Sequence, residues 1–147
     1  MKCGLYELFS PVTAGAARNE GGGGMNIPFY QIDAFTSRVF AGNPAGVCLL
    51  DEWPEDQTMQ SIAEENNLSE TAFLVNTGNL YELRWFTPKM EVDLCGHATL
   101  ASAFIIFEYV SPHASRVSFQ TKSGTLSVER QGDLLVMDFP SRPPGAR

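Results

Sequence analysis

The stretch GHATLASAFIIFEYV, residues 96–110, decides how the rest of the chain must fold. Read as a helix over 97–110, it places Leu100, Ala101, Ala103, Phe104, Ile105, Ile106, Phe107 and Val110 around nearly its whole circumference. Such a helix has no polar face to turn to water, so it must be buried on all sides. About fourteen residues rise only about 21 Å, too short for a bilayer core of about 30 Å. Its surroundings must therefore be protein. Because the neighbouring segments have strand composition, the expected architecture is α+β: a curved, mostly antiparallel sheet wrapped around this central apolar helix.

Seven segments read as strands: 27–35, 45–50, 71–76, 80–87, 116–121, 124–130 and 133–139. The clearest is LYELRWF, where Tyr81, Leu83 and Trp85 alternate with Glu82 and Arg84, giving one buried face and one wet face. A second helix is expected over PEDQTMQSIAEENN, residues 54–67, with Pro54 near its first turn and Glu55 and Asp56 at the positive end of its dipole. Met59, Ile62 and Ala63 share one side, so it reads as a surface helix. The run AGNPAGV, residues 41–47, carries the residues of a turn.

A length of 147 residues suits one domain with a proper core. Ten Lys and Arg against seventeen Asp and Glu give a net charge of −7. That balance argues against a nucleic-acid partner, which needs clustered cations. Cys3, Cys48 and Cys95 are too few and too irregular for a disulfide framework, and a reducing, cytoplasmic setting is expected. No apolar run approaches about 18 residues, so no membrane partner is expected. Residues 1–25, ending in ARNEGGGGM, read as a flexible N-terminal extension, with Met25 a candidate start. The folded unit is expected over 26–140, and residues 141–147 read as a linker-like tail.

The chemistry-bearing stretch is DLCGHATL, residues 93–100. A metal site at Asp93, Cys95 and His97 falls short on ligand count, since the other histidine, His113, sits beside Pro112 in an apparent loop. A thiol nucleophile has a physical case, because Cys95 precedes a helix N-terminus whose dipole favours a thiolate. Against it stands the ordinary buried cysteine. Gly96 would let a ligand approach the free N–H groups of the helix start, an arrangement suited to a carboxylate, and His97 would donate to that anion or shuttle a proton. Equally, His97 caps the helix and is satisfied by backbone. In NNLSETAF, residues 66–73, Glu70 is flanked by Leu68, Ala72 and Phe73. Burial there suits a general acid or base, although a Glu at a helix-to-strand turn is usually just solvated. There is no G-x-S-x-G nucleophile elbow, and GGGG lacks the ending of a phosphate-binding loop.

Taken in order, DAFTSRVFAGNPAGVCLL, NNLSETAFLV, LRWFTPKMEVDLCGHATLASA and MDFPSRPP closely resemble the phenazine biosynthesis PhzF-like family of isomerases over about residues 26 to 143. The resemblance implies one half of a diaminopimelate epimerase-like fold, in which two similar halves, each a sheet curled around an apolar helix, enclose a cleft. It also implies cofactor-independent proton transfer on a small carboxylate-bearing substrate. By that match Glu70 is the catalytic acid/base, His97 lines the same site as a catalytic and substrate-binding group, and Gly96 supplies backbone N–H to the substrate. No metal or organic cofactor is implied.

Family members carry a second half, and here the chain stops at SRPPGAR, where the first half hands over. The second half is therefore expected to be absent, the activity of this half alone to be impaired, and its open face to favour self-association or pairing with a second half-domain. Two other functions stay open: a thiol-based racemase or epimerase using Cys95, and a non-catalytic binding or dimerisation module.

Overall fold

A computed structural model describes residues 2–3, 15–18, 26–34, 43–132 and 134–138. The strands are β1 (Lys2–Cys3), β2 (Gly15–Arg18), β3 (Asn26–Ala34), β4 (Asn43–Leu50), β5 (Glu70–Asn76), β6 (Tyr81–Phe86), β7 (Glu91–Val92), β8 (Arg116–Thr121), β9 (Gly124–Gln131) and β10 (Leu134–Asp138). Helix α1 spans Asp56–Asn66 and helix α2 spans Gly96–Ile105. The strands form one sheet in the order β1-β10-β9-β8-β6-β5-β4-β3-β2, with β7 added beside β6. Pairing is antiparallel except for β4 with β5 and β6 with β8. The β6–β8 junction pairs only Tyr81 with Phe119 and Glu82 with Gln120, so a narrow seam joins two antiparallel blocks.

The enclosing sheet follows from α2. Ala98, Leu100, Ala101, Ala103 and Ile105 are completely buried, and they pack in one cluster with Ile32, Val47, Leu74, Leu83, Trp85, Phe119, Leu126, Val128 and Met137 from strands across the sheet. Two polar residues, Thr99 and Ser102, are equally buried. Their hydroxyls donate to the carbonyls four residues back, Thr99 Oγ1 to Cys95 at 2.7 Å and Ser102 Oγ to Ala98 at 2.7 Å. Neither leaves an unmet hydrogen bond inside the core.

Helix α1 covers the opposite face of the sheet. Met59 and Ala63 pack against Ile27, Cys48, Leu50, Phe73, Val75 and Phe86 in a second cluster. Strand β5 therefore lies between two apolar layers, and Thr71 through Val75 are all buried. Ala72 and Leu74 face α2, while Phe73 and Val75 face α1. A near-continuous apolar run is what a strand covered on both faces requires.

Several details depart from the sequence reading. The apolar helix does not run unbroken to Val110: its last turn, Ile106–Val110, widens to π geometry, closing with Ser111 N–H donating to the Ile106 carbonyl at 2.7 Å. The wider turn re-aims the end of the segment, leaving Tyr109 49% and Val110 41% exposed. Tyr109 stacks on Tyr30 with ring centroids 5.2 Å apart. The AGNPAGV run is strand rather than turn from Asn43 onward. Pro44 is tolerated because the ladder to β5 begins only at Ala45. Gly46 is needed for space, since a Cβ there would lie 2.8 Å from Phe29 Cε2.

The two-residue strand β7 was not anticipated, being too short to show a period. The segment expected to be a flexible extension supplies two short edge strands, β1 against β10 and β2 against β3. The rest of that extension, the strand ends expected at 35 and 139, and the tail at 141–147 lie outside the described residues. Among the described residues no helix is long and apolar enough to cross a membrane.

Because Leu100 is fully enclosed, Leu100→Ala should lower unfolding stability by about 2–5 kcal/mol, read from the urea midpoint with an unchanged m-value.

Candidate active site

Glu70 and His97 belong to motifs 27 residues apart in the chain, and the fold brings them together. Glu70 opens β5 directly after α1. The helix ends on Asn67, whose left-handed backbone (φ 50°, ψ 38°) turns the chain while its N–H still donates to Ala63 at 3.1 Å. Asn66 Nδ2 then donates to Thr71 Oγ1 at 3.3 Å, tying the helix end to the strand. Parallel pairing sets Glu70 beside Ala45, on the α2 side of the sheet.

His97 lies in the first turn of α2, where Cys95 is the N-cap residue with extended backbone (φ −146°, ψ 104°). Ser123 Oγ donates to the Asp93 carbonyl at 2.7 Å and anchors the approach to the helix. Further back, Arg84 grips Glu91 of β7 with Nε to Oε2 at 2.6 Å and Nη2 to Oε1 at 2.9 Å. Arg84 Nη1 also reaches Asp56 of α1 at 3.0 Å, and Lys122 Nζ reaches Glu91 at 2.6 Å. The Arg84 bonds hold the Glu91 carboxyl below the usual carboxylate range. Arg84 also stacks between the rings of Trp53 and Phe86. The face of β6 expected to be wet is thus partly covered at this residue.

At the centre, His97 Nε2 lies 2.6 Å from Glu70 Oε2, with side chains only 14% and 19% exposed. The two groups are at ion-pair distance, and Glu70 Oε2 is buried. Glu70 is therefore not the solvated residue that its local sequence suggests. Cys95 Sγ completes the cluster, 3.5 Å from His97 Nδ1 and 4.0 Å from Nε2. Ligand-type atoms of Glu70, Cys95 and His97 all fall within 4.8 Å of one another. The ligand count made from DLCGH alone misses Glu70, which only the fold delivers. Asp93 and His113 are exposed, and neither belongs to this cluster.

The expected activation of Cys95 by the helix end is outweighed. Burial, first, and the neighbouring Glu70 charge push its thiol up to about 12, against the opposing pull of the Ala98 and His97 backbone N–H groups. Cys48, in the α1-side cluster, is pushed up to about 12 by burial alone. Gly96, at the start of α2, is partly exposed and takes no positive φ.

Each raised thiol contributes stability that is complete below its unfolded value near 9 and lost as pH rises towards the folded value near 12. Over that window the unfolded chain has released protons that the folded chain retains. The urea midpoint should therefore fall on going from pH 8 to pH 10, at up to about 1.4 kcal/mol per pH unit for each thiol. The fall should be shallower in Cys48→Ala and Cys95→Ser.

Residues 32–144 match the family described as phenazine biosynthesis-like protein. An uncharacterized isomerase of Pseudomonas aeruginosa is 54% identical over 120 residues, which is 82% of this chain and 46% of that protein. This chain thus spans about half the length of the curated relatives it matches. A crystal structure of a PhzF-family phenazine biosynthesis protein from Enterococcus faecalis superposes with a TM-score of 0.71 at 53% identity, covering 74% of this chain and 42% of that one. A predicted epimerase from Pseudomonas aeruginosa, at 23% identity, shares the fold with a TM-score of 0.61 over 73% of this chain and 40% of its own.

Proposed function

The chain belongs to the phenazine biosynthesis-like, PhzF-type family of isomerases, and from that premise we propose that it carries one wall of a proton-transfer site acting on a small carboxylate-bearing metabolite without a cofactor. The observation that carries this reading is the 2.6 Å approach of the Glu70 carboxylate and the His97 imidazole, both largely shielded from water. An isomerisation that moves a proton beside a carboxylate or enol needs one group to take and return it, and fixed donors to hold the anion.

Glu70 is the proton carrier. Its carboxylate, partly exposed beside His97, offers lone pairs to a substrate C–H or O–H. His97 is the second titratable group of the site, placed to exchange that proton with Glu70 or to donate to the developing oxyanion. Gly96, at the partly exposed start of α2, leaves room for the substrate carboxylate to approach backbone N–H and the positive end of the helix dipole. The opposite wall comes from a second half-domain, in keeping with relatives about twice as long as this chain. The substrate is closed in from water only once that half is in place.

A thiol-based reading has one observation in its favour, the 3.5 Å separation of Cys95 Sγ and His97 Nδ1. It requires a thiolate, which burial and the Glu70 charge oppose.

The two readings separate on one assay, solvent-deuterium incorporation into small keto, enol and amino carboxylates followed by NMR. Glu70→Gln should lower exchange by about 10²–10⁴-fold, the usual worth of a positioned acid or base. Cys95→Ser should cost far less. Exchange retained in Glu70→Gln and lost in Cys95→Ser would assign the chemistry to the thiol instead.

A further inference from the structure

We propose that Glu70, Cys95 and His97 form an inhibitory binding site for a borderline-soft divalent cation of the zinc type. One ligand-type atom from each residue lies within 4.8 Å of the other two. Carboxylate oxygen, thiol sulfur and imidazole nitrogen together are a donor set suited to zinc or cobalt, and not to magnesium or calcium, which take oxygen.

The geometry is close to what such an ion needs. Bond lengths of about 2.0–2.3 Å to N, O and S set tetrahedral ligand-to-ligand edges of about 3.3–3.6 Å. His97 Nε2 lies 4.0 Å from Cys95 Sγ and 2.6 Å from Glu70 Oε2. The sulfur must approach and the carboxylate retreat by under about 1 Å each to reach those edges, a movement within reach of side-chain torsions. Glu70 Oε2 is buried at the centre of the cluster, 2.6 Å from His97 Nε2, so a cation would meet a largely desolvated carboxylate oxygen. Three protein ligands leave a fourth position for water or a substrate carboxylate. On ligation the thiol yields its proton to solvent and binds as thiolate. Cys48 offers no comparable site: it is fully buried among apolar side chains and takes no part in this cluster.

Binding would stop proton transfer, because the ion occupies the same Glu70 lone pairs and His97 nitrogen that the reaction uses. That consequence rests on the function proposed above, whereas the metal site itself does not.

The test is a titration of the chelator-treated full chain with Co²⁺, watching for the near-ultraviolet thiolate-to-cobalt charge-transfer band. A band saturating at one equivalent, displaced by Zn²⁺, kept in Cys3→Ser and Cys48→Ala and lost in Cys95→Ser, is expected. Glu70→Gln and His97→Gln, at partly exposed positions, should each weaken cobalt binding at least tenfold, whether or not Cys95→Ser folds. No band in the parent chain, a band that survives in folded Cys95→Ser, or unchanged affinity in both other variants overturns the proposal. Saturating Zn²⁺ should also abolish the deuterium exchange, with recovery on adding EDTA. If no exchange is ever found but the cobalt band behaves as stated, the metal site stands and the isomerase reading falls.

Discussion

The structure depends on the need to enclose a helix that has no polar side. Helix α2 is apolar around its circumference, and its two hydroxyls are turned inward onto its own backbone. Beyond its first turn almost nothing on it can face water, so the sheet must curl round it. That curl carries the start of β5 to the start of α2. Parallel pairing of β4 and β5, with α1 between them in the chain, places Glu70 on the α2 side of the sheet, where it meets His97. The same enclosure sets the electrostatics there: burial raises the Cys95 thiol and leaves the Glu70 carboxylate beside the His97 imidazole, both largely shielded from water.

Much of this was legible in the residues. The apolar circumference of the helix expected over 97–110, the alternation in LYELRWF and the acidic first turn of the surface helix are local patterns with local causes, and the order of motifs points to the family that the comparisons bear out. The site was legible only in part. Gly96 and His97 stand out because they open a buried helix, whereas the apolar flanks of Glu70, Leu68, Ala72 and Phe73, compete with the usual solvation of a Glu at a helix-to-strand turn. Its enclosure comes from α2 and the loop leading into it, which are remote in sequence. The same holds for the triangle with Cys95, since proximity across 25 residues is a property of topology and not of spacing. The strand expected over 45–50 begins two residues earlier, at Asn43, because the turn propensity of Asn43 and Pro44 gives way to pairing with β3. The π turn leaves no signature in a run of apolar residues that would suit either geometry.

Arg84 links the elements that carry Glu70 and His97 without touching either residue. One guanidinium holds Asp56, in the first turn of the helix that delivers Glu70, and Glu91, on the strand that leads into Cys95 and His97. It thus works as a pivot between two levers, one ending at the carboxylate and the other at the imidazole. The grip on Glu91 is two-pronged and largely shielded, while Asp56 is 76% exposed, so dissolved ions can loosen one lever far more readily than the other. Dissolved salt therefore weakens the Asp56 contact before the Glu91 one, at a point well removed from Glu70 and His97.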